Sequence, residues 1–201
     1  MKKAITDYRS LRAKLRTGDI VLFSGRGVLS WIIRLLCLAR TSHVGMVVWV
    51  EDHDQLLILE SDLNEYHNGV QLRNLGERIA GYNGHVCIRR LKPYLNFRQT
   101  EIVHGFICGH RNTSYEQGIG GFLEMLAASK VIGWLWRNRP NTNQLFCSEA
   151  AATIYQRLGL LPKCRPANEY TPSDFELGGN VDKALALLPQ PTYLGEEIWV
   201  K

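Results

Sequence analysis

Two largely apolar stretches, residues 44–50 and 56–61, the second closing on Glu60-Ser61, lie either side of the polar turn Glu51-Asp52-His53-Asp54, and no other feature constrains the chain as tightly. Apolar runs separated by a tight polar turn predict an antiparallel hairpin. With a four-residue turn, Val50 faces Gln55. Counting outward, Gly45 then faces Glu60. Side chains two apart on a strand share a face, so His43 falls on the face of Glu60. The two become diagonal neighbours within reach of each other, with Gly45 expected to leave space between them. A slip of one residue would send His43 to the opposite face, so the turn decides the geometry.

The remaining elements follow from periodicity. Residues 4–15 predict a short helix with Ile5, Tyr8, Leu11 and Leu15 on one face. Asp19–Phe23 reads as a strand and 24–27 as a loop. Ser30 is placed to cap a helix through Trp31, Ile32, Leu35 and Leu36. Stretches 69–72 and 85–91 read as further strands, and the short connections make the pairing antiparallel. Helices are expected over 97–110, 119–129 and 148–158, the last stopped by Gly159. Strands first and helices later predict an α+β fold. Its antiparallel sheet or barrel-like core packs against helices in a single domain over 1–201.

Composition narrows the function classes. A chain with 45% hydrophobic and 21% charged residues is an ordinary globular one. The net charge of +5 is scattered, without the Lys/Arg run of a nucleic-acid patch, so no nucleic-acid partner is expected. Five cysteines, odd in number and without framework spacing, argue against a disulfide scaffold. The start of the chain lacks the apolar segment of a signal peptide. The longest apolar stretch, residues 28–39, is interrupted by Arg34 and too short to span a bilayer. A reducing, cytoplasmic setting is the expectation.

Chemistry concentrates at Cys147, where the apolar approach Leu145-Phe146 turns into a helix. Helix N-termini and neighbouring imidazoles favour the thiolate, which is the nucleophilic form of cysteine. In this reading Cys147 attacks a carbonyl, His43 takes the thiol proton, and Glu60 orients the imidazole and favours its charged form. The backbone N–H of Cys147, unpartnered at a helix start, suits a developing oxyanion. Cys37 and Cys87 lie in apolar patterns and read as core. Cys164, between Lys163 and Arg165, reads as an exposed, oxidisable thiol. His104 and Cys108 are four apart on one helical face, but no second ligand pair accompanies them. No metal and no cofactor are expected.

The order of these pieces resembles the circularly permuted NlpC-like papain-fold cysteine hydrolases, the YiiX/YaeF-like group. The matching pieces begin with Thr17-Gly18-Asp19-Ile20-Val21-Leu22-Phe23 and Ser42-His43-Val44-Gly45-Met46-Val47. The strand closing on Glu60, Ser114-Tyr115-Glu116, Phe146-Cys147-Ser148-Glu149 and Tyr170-Thr171-Pro172-Ser173-Asp174-Phe175 follow. The resemblance implies a permuted papain-like fold with Cys147 as nucleophile, His43 as base and Glu60 as third residue. Tyr115 matches a tyrosine near the substrate. The wider permuted group includes acyltransferases and lipid hydrolases resembling lecithin:retinol acyltransferase, whose cysteine motif is Asn-Cys-Glu-His. Phe-Cys-Ser-Glu here departs from it toward the YiiX/YaeF side. The implied activity is that of an amidase- or peptidase-like hydrolase working through an acyl-thioenzyme. A lipid acyl hydrolase or acyltransferase on esters or thioesters, and a non-catalytic binding module, are the alternatives. Trp31–Leu36 and Ile132–Arg137 suit an acyl-chain groove or peripheral membrane contact. Peptides, amides and lipid-acyl compounds are therefore the expected partners.

Overall fold

The hairpin forms in the register read from its turn, with Val50 opposite Gln55, Trp49 opposite Leu56 and Met46 opposite Leu59. A 3-10 turn, Glu51–His53, is closed by Asp54 in a left-handed conformation (φ 45°). Aspartate tolerates that region because its short side chain bonds locally. The computed structural model describes residues 5–63, 68–110 and 147–201. The expected helix over 119–129, the segment Ile132–Arg137 and Tyr115 lie outside the described residues.

The first elements are β1 (Ile5–Thr6), α1 (Tyr8–Arg12), β2 (Ile20–Gly25), α2 (Val28–Leu36), β3 (His43–Val50) and β4 (Gln55–Leu63). Then come β5 (Asn68–Asn74), α3 (Leu75–Ala80), β6 (Gly84–Arg89), β7 (Leu91–Lys92) and α4 (Phe97–His110). The C-terminal part adds α5 (Cys147–Arg157), α6 (Asn180–Leu185), β8 (Tyr193–Leu194) and β9 (Ile198–Val200). Seven strands form one sheet in the order β1-β9-β6-β2-β3-β4-β5, and β7 pairs with β8 separately. Every neighbour in the large sheet is antiparallel except β1 beside β9. The sheet is open, with β1 and β5 at its edges, so the fold is α+β without a closed barrel.

Both faces of the sheet are covered, which explains why Ile20-Val21-Leu22-Phe23 is apolar throughout rather than alternating. Ile20, Leu22, Val44, Met46 and Leu59 pack with Val103 and Phe106 of α4 and with Ala151, Ile154 and Tyr155 of α5. Val21, Phe23, Val47 and Ile58 pack on the other side with Leu11, Leu15, Leu75 and Ile79. The three alanines at 150–152 favour helix and are small, so α5 buries its first turns against β3 and β4. Gly159 stops the helix at φ 74°, a conformation glycine adopts without a Cβ penalty.

Four expectations are corrected by the structure. The N-terminal helix is shorter, because Asp7 caps it by accepting from the Arg9 amide at 2.9 Å. Ile5 belongs instead to β1 and is exposed. Helix α2 begins at Val28 after Gly27, so Ser30 is not its cap. The Ser30 hydroxyl instead donates to the carbonyl of Gly25 at 3.0 Å. Helix α3, capped by Asn74, lies between strands where no helix was expected. The strands-then-helices order also fails at the C-terminus, where β9 enters the large sheet between β1 and β6. A buried Arg89 ties that end down, donating to the carbonyls of Phe175, Leu194 and Gly195 at 2.8–3.0 Å. The same guanidinium pairs with Asp182 at 2.9 Å.

Candidate active site

His43 opens β3, and its Nε2 lies 2.7 Å from Oε2 of Glu60. That contact follows from the register, since Gly45 pairs with Val21 on one side and comes next to Glu60 when the β4 ladder is extended by one residue. Gly45 also meets the neighbouring strand closely. A Cβ there would meet Cδ1 of Ile58 at 2.6 Å and the carbonyl of Leu59 at 3.1 Å. The glycine lets β3 close onto the Ile58 side chain.

Glu60 is fully buried. Nε of Arg78 donates to its Oε1 at 2.9 Å and Nη1 of Arg73 at 3.4 Å. Burial works to raise the carboxyl pKa, but the hydrogen bond and charge of His43, with the Arg78 cation, prevail and hold it down at about 2. A carboxylate can only accept, so Nε2 of His43 carries the proton between them. Nδ1 is left for the sulfur.

His43 hydrogen-bonds Cys147, the first residue of α5. Burial works to lower the imidazole pKa, yet the charge and hydrogen bond of Cys147 and then those of Glu60 outweigh it and raise the group to about 10. The residue register of His43 belongs to the face of Phe23, whose ring centroid is 5.4 Å away. Cys147 packs with the opposite face. Both are terminal residues of their elements, so they meet at the rim of the sheet.

The structure therefore brings together Cys147, His43 and Glu60, while Tyr115 lies outside the described residues. Cys147 is half-buried, Cys37 and Cys87 are buried, and Cys108 and Cys164 are exposed. Among the described residues no group of three or more His, Cys, Asp or Glu is placed to hold a metal ion.

Several supporting residues escaped the sequence reading. Arg78 lies over the rings of Phe23 at 4.8 Å and Tyr82 at 5.0 Å, fixing its guanidinium behind Glu60. The pattern Asn74-x-x-Glu77 before an apolar pair signals a helix start and could have revealed α3. Nothing local signals that Arg78 reaches Glu60. Glu176 accepts from the amides of Arg40 and Thr41 at 2.7 Å each and from the Thr41 hydroxyl at 2.8 Å. It thereby sets the chain entering His43. Asp174, in the segment Tyr170–Phe175, accepts from the Thr171 amide at 2.7 Å in a capping box and is paired with Arg165. The 3-10 turn of that segment, Pro172–Phe175, packs against β2 and β3.

No family model and no curated protein matches the sequence. Among solved structures, the fold is similar to the crystal structure described as the metalloprotein YiiX of Escherichia coli O157:H7 (DUF1105). The TM-score is 0.51 at 20% identity, over 72% of this chain and 66% of that one. The chain thus spans just under two thirds of the length of that relative. The likeness extends to the fold.

Proposed function

We propose that the protein is a cysteine hydrolase of the permuted papain-like kind, acting on an amide or peptide bond. The observation that carries the reading is the chain of contacts from Cys147 through His43 to a buried, ionised Glu60. An imidazole between a thiol and a carboxylate is the arrangement that activates a sulfur nucleophile. The shared fold with YiiX and the order of the motifs agree with it.

The steps balance as acyl transfer. The Cys147 thiolate attacks the carbonyl carbon, and the electron pair of the C=O bond moves to oxygen. The amide of Cys147 at the start of α5 donates to that oxyanion. As the intermediate collapses, the C–N bond breaks and the His43 imidazolium gives its proton to the leaving amine. Water then attacks the acyl-thioenzyme, with neutral His43 accepting its proton. The sulfur leaves and the carboxylic acid is released. Glu60 stays ionised throughout and holds Nε2–H. An acyl ester or thioester is the second reading, favoured by Trp31 and Leu35, exposed apolar residues on the helix preceding His43.

Limiting iodoacetamide near neutral pH separates catalyst from binding module. The expected result is selective alkylation of Cys147, lost in His43→Ala. Equal labelling of the exposed thiols, led by Cys164, overturns the reading. Acyl-peptide amides and p-nitrophenyl esters of graded chain length then separate the two substrate classes. Turnover of either is abolished in Cys147→Ser. A rate that rises with acyl length assigns the ester branch.

A further inference from the structure

Helix α2 presents an apolar stripe to the outside. Its hydrogen-bonding residues face the protein: the Ser30 hydroxyl lies 2.6 Å from that of Ser42, and Nη1 of Arg34 donates to the Ser24 hydroxyl at 3.0 Å. Cys37, which continues that stripe, is buried. Four apolar residues face outward, with Val28 77%, Trp31 56%, Leu35 56% and Leu38 68% exposed, while Ile32, Ile33 and Leu36 are partly buried. Val28, Trp31 and Leu35 are spaced three and four apart and form one stripe, about 10 Å long at 1.5 Å per residue, with Leu38 just beyond its end. A surface helix of a globular protein shows the reverse pattern, apolar side in and polar side out.

Two further observations bear on what meets this stripe. Leu38, just past the helix end, holds a left-handed backbone (φ 48°), where glycine or asparagine is usual. The strained position presents its leucine to the outside. The cations that belong to this segment are Arg26, Arg34 and Arg40, and no acidic residue lies between Asp19 and Glu51 in the sequence. Arg26 is exposed beside the start of the stripe. Arg40, beyond the other end, is paired with Glu176 and Glu197.

We propose that α2 docks onto an anionic lipid surface. Val28, Trp31, Leu35 and Leu38 enter the boundary between headgroups and acyl chains, while Arg26 remains among the lipid phosphates. Trp suits that boundary through its apolar ring and polar N–H. Arginine gains from the negative potential of such a surface. No helix among the described residues is long and apolar enough to cross a membrane, so α2 lies in the plane. A second copy of the chain is the other occupant an apolar stripe suits, and the experiment separates it from lipid. The docking is independent of whether Cys147 is a nucleophile.

Co-sedimentation of the full chain with vesicles tests it. Vesicles of phosphatidylcholine with phosphatidylglycerol are expected to bind the protein, and vesicles of phosphatidylcholine alone to bind it far less. The difference shrinks in high salt. Replacing Trp31→Ser together with Leu35→Ser lowers the partition coefficient about tenfold or more. Arg26→Gln lowers it about fivefold for the anionic vesicles only. Unchanged thermal melting establishes that the double variant is folded; if melting shifts, Arg26→Gln decides alone. Equal partitioning onto both vesicle types, or variants that bind like the wild type, overturns the proposal. So does a dimer seen by light scattering that the double substitution dissolves while anionic vesicles leave the wild type unbound.

Discussion

His43 touches a sulfur on one side and a carboxylate on the other, and its protonation sets two pH dependences. In the folded chain the imidazolium persists to about 10 against an ordinary 6.5. A raised pKa means that the folded state binds the proton more tightly. The stability this contributes is fully present below pH 6.5 and is lost as pH rises through about 10. Glu60 shows the same contact from the acidic side. Its stabilisation is present above 4.5 and is lost as pH falls toward about 2. Expulsion of an amine needs the imidazolium, so hydrolysis of an acyl-peptide amide should fall on the alkaline side only as pH approaches about 10. In Glu60→Gln one of the anions that raise His43 is gone. The alkaline limb should then move to lower pH, which a rate profile of wild type and variant measures directly. An unmoved limb would show that Glu60 does not set the protonation of the base.

At the scale of elements, the hairpin of β3 and β4 was legible because its information is local. A four-residue turn and a two-residue side-chain period define which residues share a face, and they place His43 and Glu60 together. The closeness of Gly45 to Ile58 was not legible, because Ile58 lies across the ladder. A methyl group at that position would sit 2.6 Å from Ile58 Cδ1, so β3 or the isoleucine must shift. Gly45→Ala is expected to cost about 1–3 kcal/mol, the usual range for overpacking a closed site. Urea unfolding of the two proteins measures it, and an unchanged midpoint would show that Ile58 yields freely. Helix α4 was readable over its whole length, 97–110, from apolar spacing. Helix α2 was readable as a helix, whereas the direction of its apolar stripe depends on which side Ser24 and Ser42 occupy. Helix propensity is silent on that.

At the scale of the whole molecule, closure depends on the C-terminal segment. Strand β9 enters between β1 and β6, and Arg89 of β6 holds three carbonyls of the returning chain. Removing the guanidinium takes a buried donor from each of those carbonyls and leaves Asp182 without its cation, held by the Gly178 amide at 2.7 Å. Arg89→Met is expected to destabilise by about 3–5 kcal/mol, the range for breaking a buried ion pair by removing one partner. Equilibrium unfolding monitored by circular dichroism tests it. A loss under about 1 kcal/mol would mean that water satisfies those groups, which a surface site permits and a buried one does not.

Turn length, strand alternation and helical spacing act between near neighbours, so the α+β class, the hairpin register and the helix that begins near Cys147 could be read from the order of residues alone. The packing of Arg78 behind Glu60, the hold of Glu176 on the chain before His43, the insertion of β9 and the outward turn of α2 were decided only by tertiary structure. Each of these joins different elements rather than near neighbours in the chain. Their energies come from burial and from pairing charges out of water, and those terms exist only once distant surfaces have closed on one another.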